Sequence, residues 1–276
     1  MKKKNLSKLF AYTVLIIVSI IFVFPVFWMV RTALSTPSDV FNRNLNLLPS
    51  SYEFNNYKRA FESAPFVKFF LNTAFITIVN IASTLFTSSL CAFGFSRIEW
   101  PGRDRVFGIL MTALMVPYAV LIIPHFVGFS ALGMTDTFLP LLLPILLGGG
   151  LFNIFLLRQF FMGIPKELDE AATIDGASLW QIYRLIIIPL SKQSLIVVLL
   201  LTFLLNWNDY MAPLIYLSSE KNFTLMLGLN QFIGGYSSQW ELLMAAATIV
   251  VLPSMIVYML AQRHFVEGIA MTGIKG

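Results

Sequence analysis

Residues 163–190 run GIPKELDEAATIDGASLWQIYRLIIIPL, and they stand between two apolar stretches, 137–157 and 193–211, in a chain of 276 residues. Local chemistry predicts two short helices here. Pro165 suits the first helical position, where its missing N–H is not needed, and Glu167, Asp169 and Glu170 complement the positive end of the helix dipole. Asp175-Gly176 predicts a stop, glycine supplying a left-handed cap. Ser178 with Gln181 three residues on predicts a capping box opening a second helix, expected to end before Pro189. Leu168, Ala171 and Ala172 are expected on one face of the first helix, and Leu179, Ile182, Tyr183 and Ile186 on one face of the second. The paired alanines would let another surface come close to the backbone. Such a hairpin is a docking knob. An amphipathic loop lying on a membrane, or packing on its own bundle, accounts for the pattern equally well.

The surroundings place this hairpin in a membrane protein. Hydrophobic residues make up 57% of the chain and charged ones 12%, against about a quarter charged in a soluble domain. Six stretches long enough to cross a bilayer, which takes about 20 apolar residues, lie at 10–30, 69–95, 106–126, 137–157, 193–211 and 242–262; only the fifth holds a charge, Asp209. The first is preceded by Lys2, Lys3, Lys4 and Lys8, as in a secretory signal, but it is too long and ends in the interface pair Trp28 and Arg31, so a retained helix is expected. With the N-terminus inside, the inner segments hold 13 of the 19 Lys and Arg. The positive-inside rule therefore places both termini and residues 163–190 in the cytoplasm. That bias also explains the net charge of +5 without an anionic partner, and no nucleic acid is expected. The single cysteine, Cys91, excludes an intrachain disulfide and a cysteine-cluster metal site. The fold expected is an all-α polytopic membrane protein, one domain over residues 1–276, with six transmembrane helices.

Glu170-Ala171-Ala172, then Gly176, Ile186, Ile188 and Pro189 at fixed spacing, resembles the EAA loop of permease subunits in prokaryotic binding-protein-dependent ABC importers; Ile188 stands where leucine is usual. The resemblance implies the type I importer fold and a prokaryotic inner or plasma membrane. It also implies that the loop forms a coupling helix seated in an ATPase, with Glu170, Ala171, Ala172, Asp175 and Gly176 as docking residues. Asn56-Tyr57, residues 97–102, residues 206–208 and above all the ending 265–276 are similar to the maltose-type carbohydrate branch, specifically its smaller permease subunit. In that branch the tail reaches the ATPase interface, which implies Gly273, Lys275 and Gly276 as a second contact, and its glycines suit an extended backbone. The implied partners are a second homologous permease, two ATPase subunits, an extracellular or periplasmic solute-binding protein and a sugar. ATP and Mg would be held by the ATPase, with no cofactor on this chain.

Polar groups inside the apolar stretches are few: Asn72, Asn80, His125, Asn153 and the cluster Asn206, Trp207, Asn208 and Asp209. Most such groups join helices. The cluster, amides and a carboxylate beside an indole, is the candidate substrate path, although Trp207 would serve equally as an interface anchor. Pro117, Pro124, Pro140, Pro144 and Gly148–Gly150 are expected to break the third and fourth helices, as hinges or as plain kinks. No Gly-x-x-x-x-Gly-Lys-Ser/Thr motif occurs, so the chain is expected to be a translocation subunit and not an ATPase. Two distant histidines and no paired carboxylates in the apolar stretches stand against a polytopic membrane enzyme. A permease for a peptide or polyamine, or a scaffold without its own path, remains open.

Overall fold

The computed structural model describes residues 2–42, 46–234 and 238–273, with side chains from 8 to 262 within those stretches. The helices are α1 (Lys2–Ala33), α2 (Pro37–Val40), α3 (Asn55–Glu62), α4 (Phe66–Ser96), α5 (Arg103–Thr112), α6 (Tyr118–Ala131), α7 (Leu139–Gly148), α8 (Leu151–Met162), α9 (Glu167–Ile174), α10 (Leu179–Ile182), α11 (Ile188–Leu190), α12 (Lys192–Trp207), α13 (Met211–Tyr216), α14 (Leu225–Asn230) and α15 (Trp240–Gly273).

Lys8–Ala33, Phe66–Ser96, Leu139–Met162 and Trp240–Gln262 are each long and apolar enough to cross a membrane. Two further regions are bent pairs: Arg103–Met115 with Tyr118–Ala131 turns by 95°, and Leu179–Leu190 with Lys192–Trp207 turns by 77°. The third stretch is therefore not a straight helix over 106–126. Pro117 disfavours helical backbone at the residue before it, and Val116 is accordingly extended, at φ −79 and ψ 116. The fifth stretch leaves the helix after Trp207 rather than at 211. The fourth stretch is interrupted where Gly149 and Gly150 take φ +60 and +82. In the last, the helix passes beyond 262 to Gly273, correcting the extended tail expected there. An isolated glycine such as Gly268 costs a helix only about 1 kcal/mol, too little to stop one among good helix formers.

The chain packs as two compact units, residues 1–66 with 228–253 and residues 67–227 with 254–276. In the first unit α1 is exposed along most of its length, and its end is gripped through polar contacts. Asn56, 2% exposed, donates from Nδ2 to the carbonyls of Ala33 at 3.0 Å and Ser35 at 2.9 Å. Two carbonyls left over at a helix end are thereby satisfied. Asn56→Ala is expected to lower the melting temperature of the detergent-solubilised protein, at roughly 1–3 kcal/mol for each buried group left unpaired; an unchanged melting curve would contradict this.

The second unit holds two apolar cores. One gathers Ala92, Phe93, Leu157, Phe161, Ile182, Tyr183, Ile187 and Val198. The other gathers Ile76, Leu141, Leu142, Ala212, Tyr216, Leu217 and Leu227. Between α6 and α7, Asp136 accepts hydrogen bonds from the Ser219 hydroxyl, the backbone N–H groups of Ser219 and Ser218, and the Asn222 amide. These donors, the Ser219 hydroxyl foremost, hold its carboxyl well below the usual carboxylate range, since each bond favours the ionised form. The same residue, at φ +57, joins the loop before α7 to the one after α13.

Candidate coupling surface and solute path

The segment 163–190 folds as two helical pieces. α9 starts at Glu167, with Lys166 as its cap; Pro165 lies before the helix, not at its first position. The α9 end is closed by the N–H of Ala177 on the Ala172 carbonyl at 2.9 Å, with Gly176 at φ +82, a left-handed turn natural to glycine. Ser178 and Gln181 make the capping box: the N–H of Gln181 donates to Ser178 Oγ at 3.3 Å, and that of Ser178 donates to Gln181 Oε1 at 2.7 Å. The second piece does not stop before Pro189. It widens into a π-turn at Tyr183–Ile187 and continues through α11 to Leu190, the wider turn accommodating a residue with no N–H to give.

Burial sorts the faces differently from the expectation. Ala172 is half-buried against the first core, whereas Glu170, Ala171, Asp175 and Gly176 are exposed. Leu168 and Ile174 are exposed at 43% and 87%, so α9 presents Leu168, Ala171 and Ile174 outward at intervals of three. Ile174 was missed, although that spacing was legible. In the second piece Ile182, Tyr183 and Ile187 are buried while Leu179 is exposed; the Tyr183 hydroxyl meets Ser89 Oγ at 2.7 Å. Of the tail residues, Gly273 closes α15, and Lys275 and Gly276 lie outside the described residues.

Charged pairs hold α9 to the C-terminal ends of α4 and α8. The Arg97 side chain, 3% exposed, reaches Asp169 Oδ2 from Nη1 at 3.2 Å. Its Nη2 donates to the carbonyls of Phe161 and, at 2.7 Å, Ile164. Lys166 pairs with Glu99 at 3.1 Å in the open. Arg158 pairs with Asp104 at 3.1 Å and lies over the Phe107 ring at 4.2 Å.

A cavity of about 550 Å³ lies within the second unit where its helices break. Asn206 and Asp209 line it together with Tyr118, His125, Asn153 and Thr202. Trp207 and Asn208 do not. Trp207 is 4% exposed, edge-on to Phe70 at 5.5 Å and stacked on Phe203 at 5.3 Å. Asn208 is exposed and bonds the Leu204 carbonyl. Trp207, the last residue of α12, turns about 100° away from Asn206, and at Asn208 the backbone leaves the helix, which brings Asp209 back to the cavity. Asn206 also joins helices, accepting from Asn80 Nδ2 and donating to the Thr202 carbonyl at 2.8 Å. Asp209 caps α13, accepting from the Ala212 N–H at 3.2 Å. The cavity lining includes no Lys or Arg among the described residues.

A helical membrane-spanning chain with a short exposed helix between its apolar stretches and a cavity at its helix breaks has the form of a transporter subunit. Residues 84–271 match the family described as "Binding-protein-dependent transport system inner membrane component". Over 276 residues the chain is 33% identical to the inner membrane ABC transporter permease protein YcjP of Escherichia coli (strain K12), covering 99% of each. It is 31% identical to the lactose transport system permease protein LacG of Rhizobium radiobacter, covering 96% of each. Its fold superposes on a crystal structure of a bacterial ABC transporter involved in the import of the acidic polysaccharide alginate, with a TM-score of 0.81 at 24% identity over 96% of this chain and 98% of that one. The chain belongs to the binding-protein-dependent inner-membrane transport family: it is an ABC importer permease, the translocation subunit of its system.

Proposed function

We propose that this permease carries a neutral sugar or oligosaccharide inward by alternating access, together with a second homologous permease, two ATPase subunits and a solute-binding protein. The observation that carries the cargo class is the lining of the cavity: one carboxylate, amides and hydroxyls set among apolar and aromatic walls, with no Lys or Arg among the described residues to pair with an acidic cargo. Hydroxyl-rich solutes are held by such acceptors. The relative named for lactose supports the same class. The solute path includes Asn206 and Asp209, with Trp207 packing the wall behind them.

In this reading residues 163–190 are cytoplasmic, as are both termini, in keeping with the distribution of Lys and Arg. Glu170, Ala171, Asp175 and Gly176 meet the ATPase, joined by Leu168 and Ile174; Ala172 holds α9 to its own core. Gly273, Lys275 and Gly276 form a second ATPase contact, and ATP and Mg belong to the ATPase. The exposed sides of α1 are covered by the second permease and by lipid.

Reconstituted with its partners in liposomes, the protein is expected to take up neutral di- and trisaccharides on addition of ATP, and to exclude uronic-acid oligosaccharides of equal length. Equal uptake of the acidic sugars, or stimulation of ATP hydrolysis only by peptides or polyamines, would overturn the assignment.

A further inference from the structure

We propose that the Arg97–Asp169 ion pair is the positioning device that makes α9 move as one body with the inner ends of α4 and α8, so that ATPase closure reaches the cavity. The proposal rests on the reading of α9 as the ATPase-docking helix.

α9 is weakly held by packing. No residue of it is buried, and only Asp169 and Ala172 are half-covered. Its chain connections lead at one end through residues 163–166 to α8 and at the other through the left-handed turn at Gly176. Such links leave the angle of a two-turn helix free to change under load. Asp169 removes that freedom. It projects from the inward side of α9 onto a guanidinium fixed by the carbonyls of Phe161 and Ile164, at the end of α8. Arg97 itself follows directly on α4, its N–H bonded to the Phe93 carbonyl at 2.8 Å. One planar fork thus joins three elements, a geometry that a lysine's single ammonium does not reproduce.

The joined elements lead to the cavity. α4 lines it with Thr73, Ile76 and Thr84, and α8 with Leu151, Phe152 and Asn153. Ser88 of α4 donates to the Gly149 carbonyl at 2.6 Å just before α8, so α8 is tied near both of its ends to the C-terminal part of α4. The pair is also poorly explained as a stabilising contact. Arg97 Nε and Asp169 Oδ1 are buried without a hydrogen-bond partner, and burying charged groups with bonds unmade has a desolvation cost that offsets the attraction. Registry is the use such a pair serves well.

The test uses the complete importer in nanodiscs, with Cys91→Ser and Phe152→Cys placing one thiol on the cavity wall. N-ethylmaleimide labelling is compared without nucleotide and after vanadate trapping, beside ATP hydrolysis and recovery of the ATPase on purification. With Asp169 present, labelling is expected to differ between the two states by about tenfold, within the range of coupling energies measured along such networks. Asp169→Ala is expected to keep ATPase recovery and hydrolysis while the difference falls below about twofold, the lower end of that range. Asp169→Glu restores part of it, and Glu99→Gln, in the exposed pair, changes nothing. Labelling in Asp169→Ala that still switches, a parent that never switches, or a proportional loss of ATPase recovery and switching would each overturn the proposal. Ala171→Arg separates the underlying reading: if it leaves ATPase recovery intact, α9 is not the docking helix and the proposal fails with it.

Discussion

A Gly176→Leu protein is expected to reach the membrane in normal amounts and to lose solute uptake by about thirtyfold or more, the effect of deleting an interface hot spot of ~2 kcal/mol. The reason for normal folding is local. A Cβ built on Gly176 meets nothing within 4 Å, so the only cost inside the chain is the left-handed backbone at φ +82, roughly 1–2 kcal/mol for a residue with a side chain. That cost alone does not empty the membrane of a large helical protein. Loss of uptake would therefore report a surface that must come close to the backbone from outside. Gly176→Asn divides the two contributions, because asparagine tolerates left-handed backbone but still adds a side chain. Uptake and ATPase recovery measured side by side decide the matter, and a Gly176→Leu protein that transports normally would remove this turn from the docking surface.

Gly149→Val is expected to do the opposite and prevent the folded protein from accumulating. Here the constraint is inside the chain. A Cβ at Gly149 would run into Ser88 Oγ and Thr87 Oγ1 and would lie 2.7 Å from the backbone nitrogen of Ser88. A hydroxyl can rotate away, but the α4 backbone cannot. The position also has φ +60. Overpacking of about 1–3 kcal/mol adds to roughly 1–2 kcal/mol of left-handed strain, and the Ser88 bond to the Gly149 carbonyl is displaced as well. Total stabilities of about 5–15 kcal/mol leave little margin for such a change. Gly149→Ala should show a milder form, a lowered melting temperature by fluorescence in detergent; an unchanged melting curve in both variants would mean that the two helices can move apart here.

These two glycines measure how far the site was legible. The stop at Asp175-Gly176 and the capping box at Ser178 and Gln181 were readable because both depend on neighbours a few residues away. The close approach at Gly149 was hidden, since Ser88 lies 61 positions distant in the chain and nothing in the run Gly148–Gly150 names its partner. The packing of Trp207 was hidden for a related reason. A cluster of four consecutive residues at a helix end cannot all face one path, and which face is turned to the cavity depends on Phe70 and Phe203. Asp169 was read only as an acid near a helix start. Its role as the partner of Arg97, 72 residues earlier, had no local signal.

The sequence by itself determined that the chain is helical, that it carries six apolar stretches long enough to cross a membrane and that residues 163–190 form a capped helical hairpin. Periodicity, Pro and Gly positions, and the segregation of charge act over single turns or single spans, and a chain carries them without reference to its fold. Only the tertiary structure decided where the helices bend, which side of α9 faces outward, and which polar residues line a cavity. Those outcomes depend on contacts between segments far apart in the chain, where packing and buried hydrogen bonds select one arrangement from several that the local pattern allows equally.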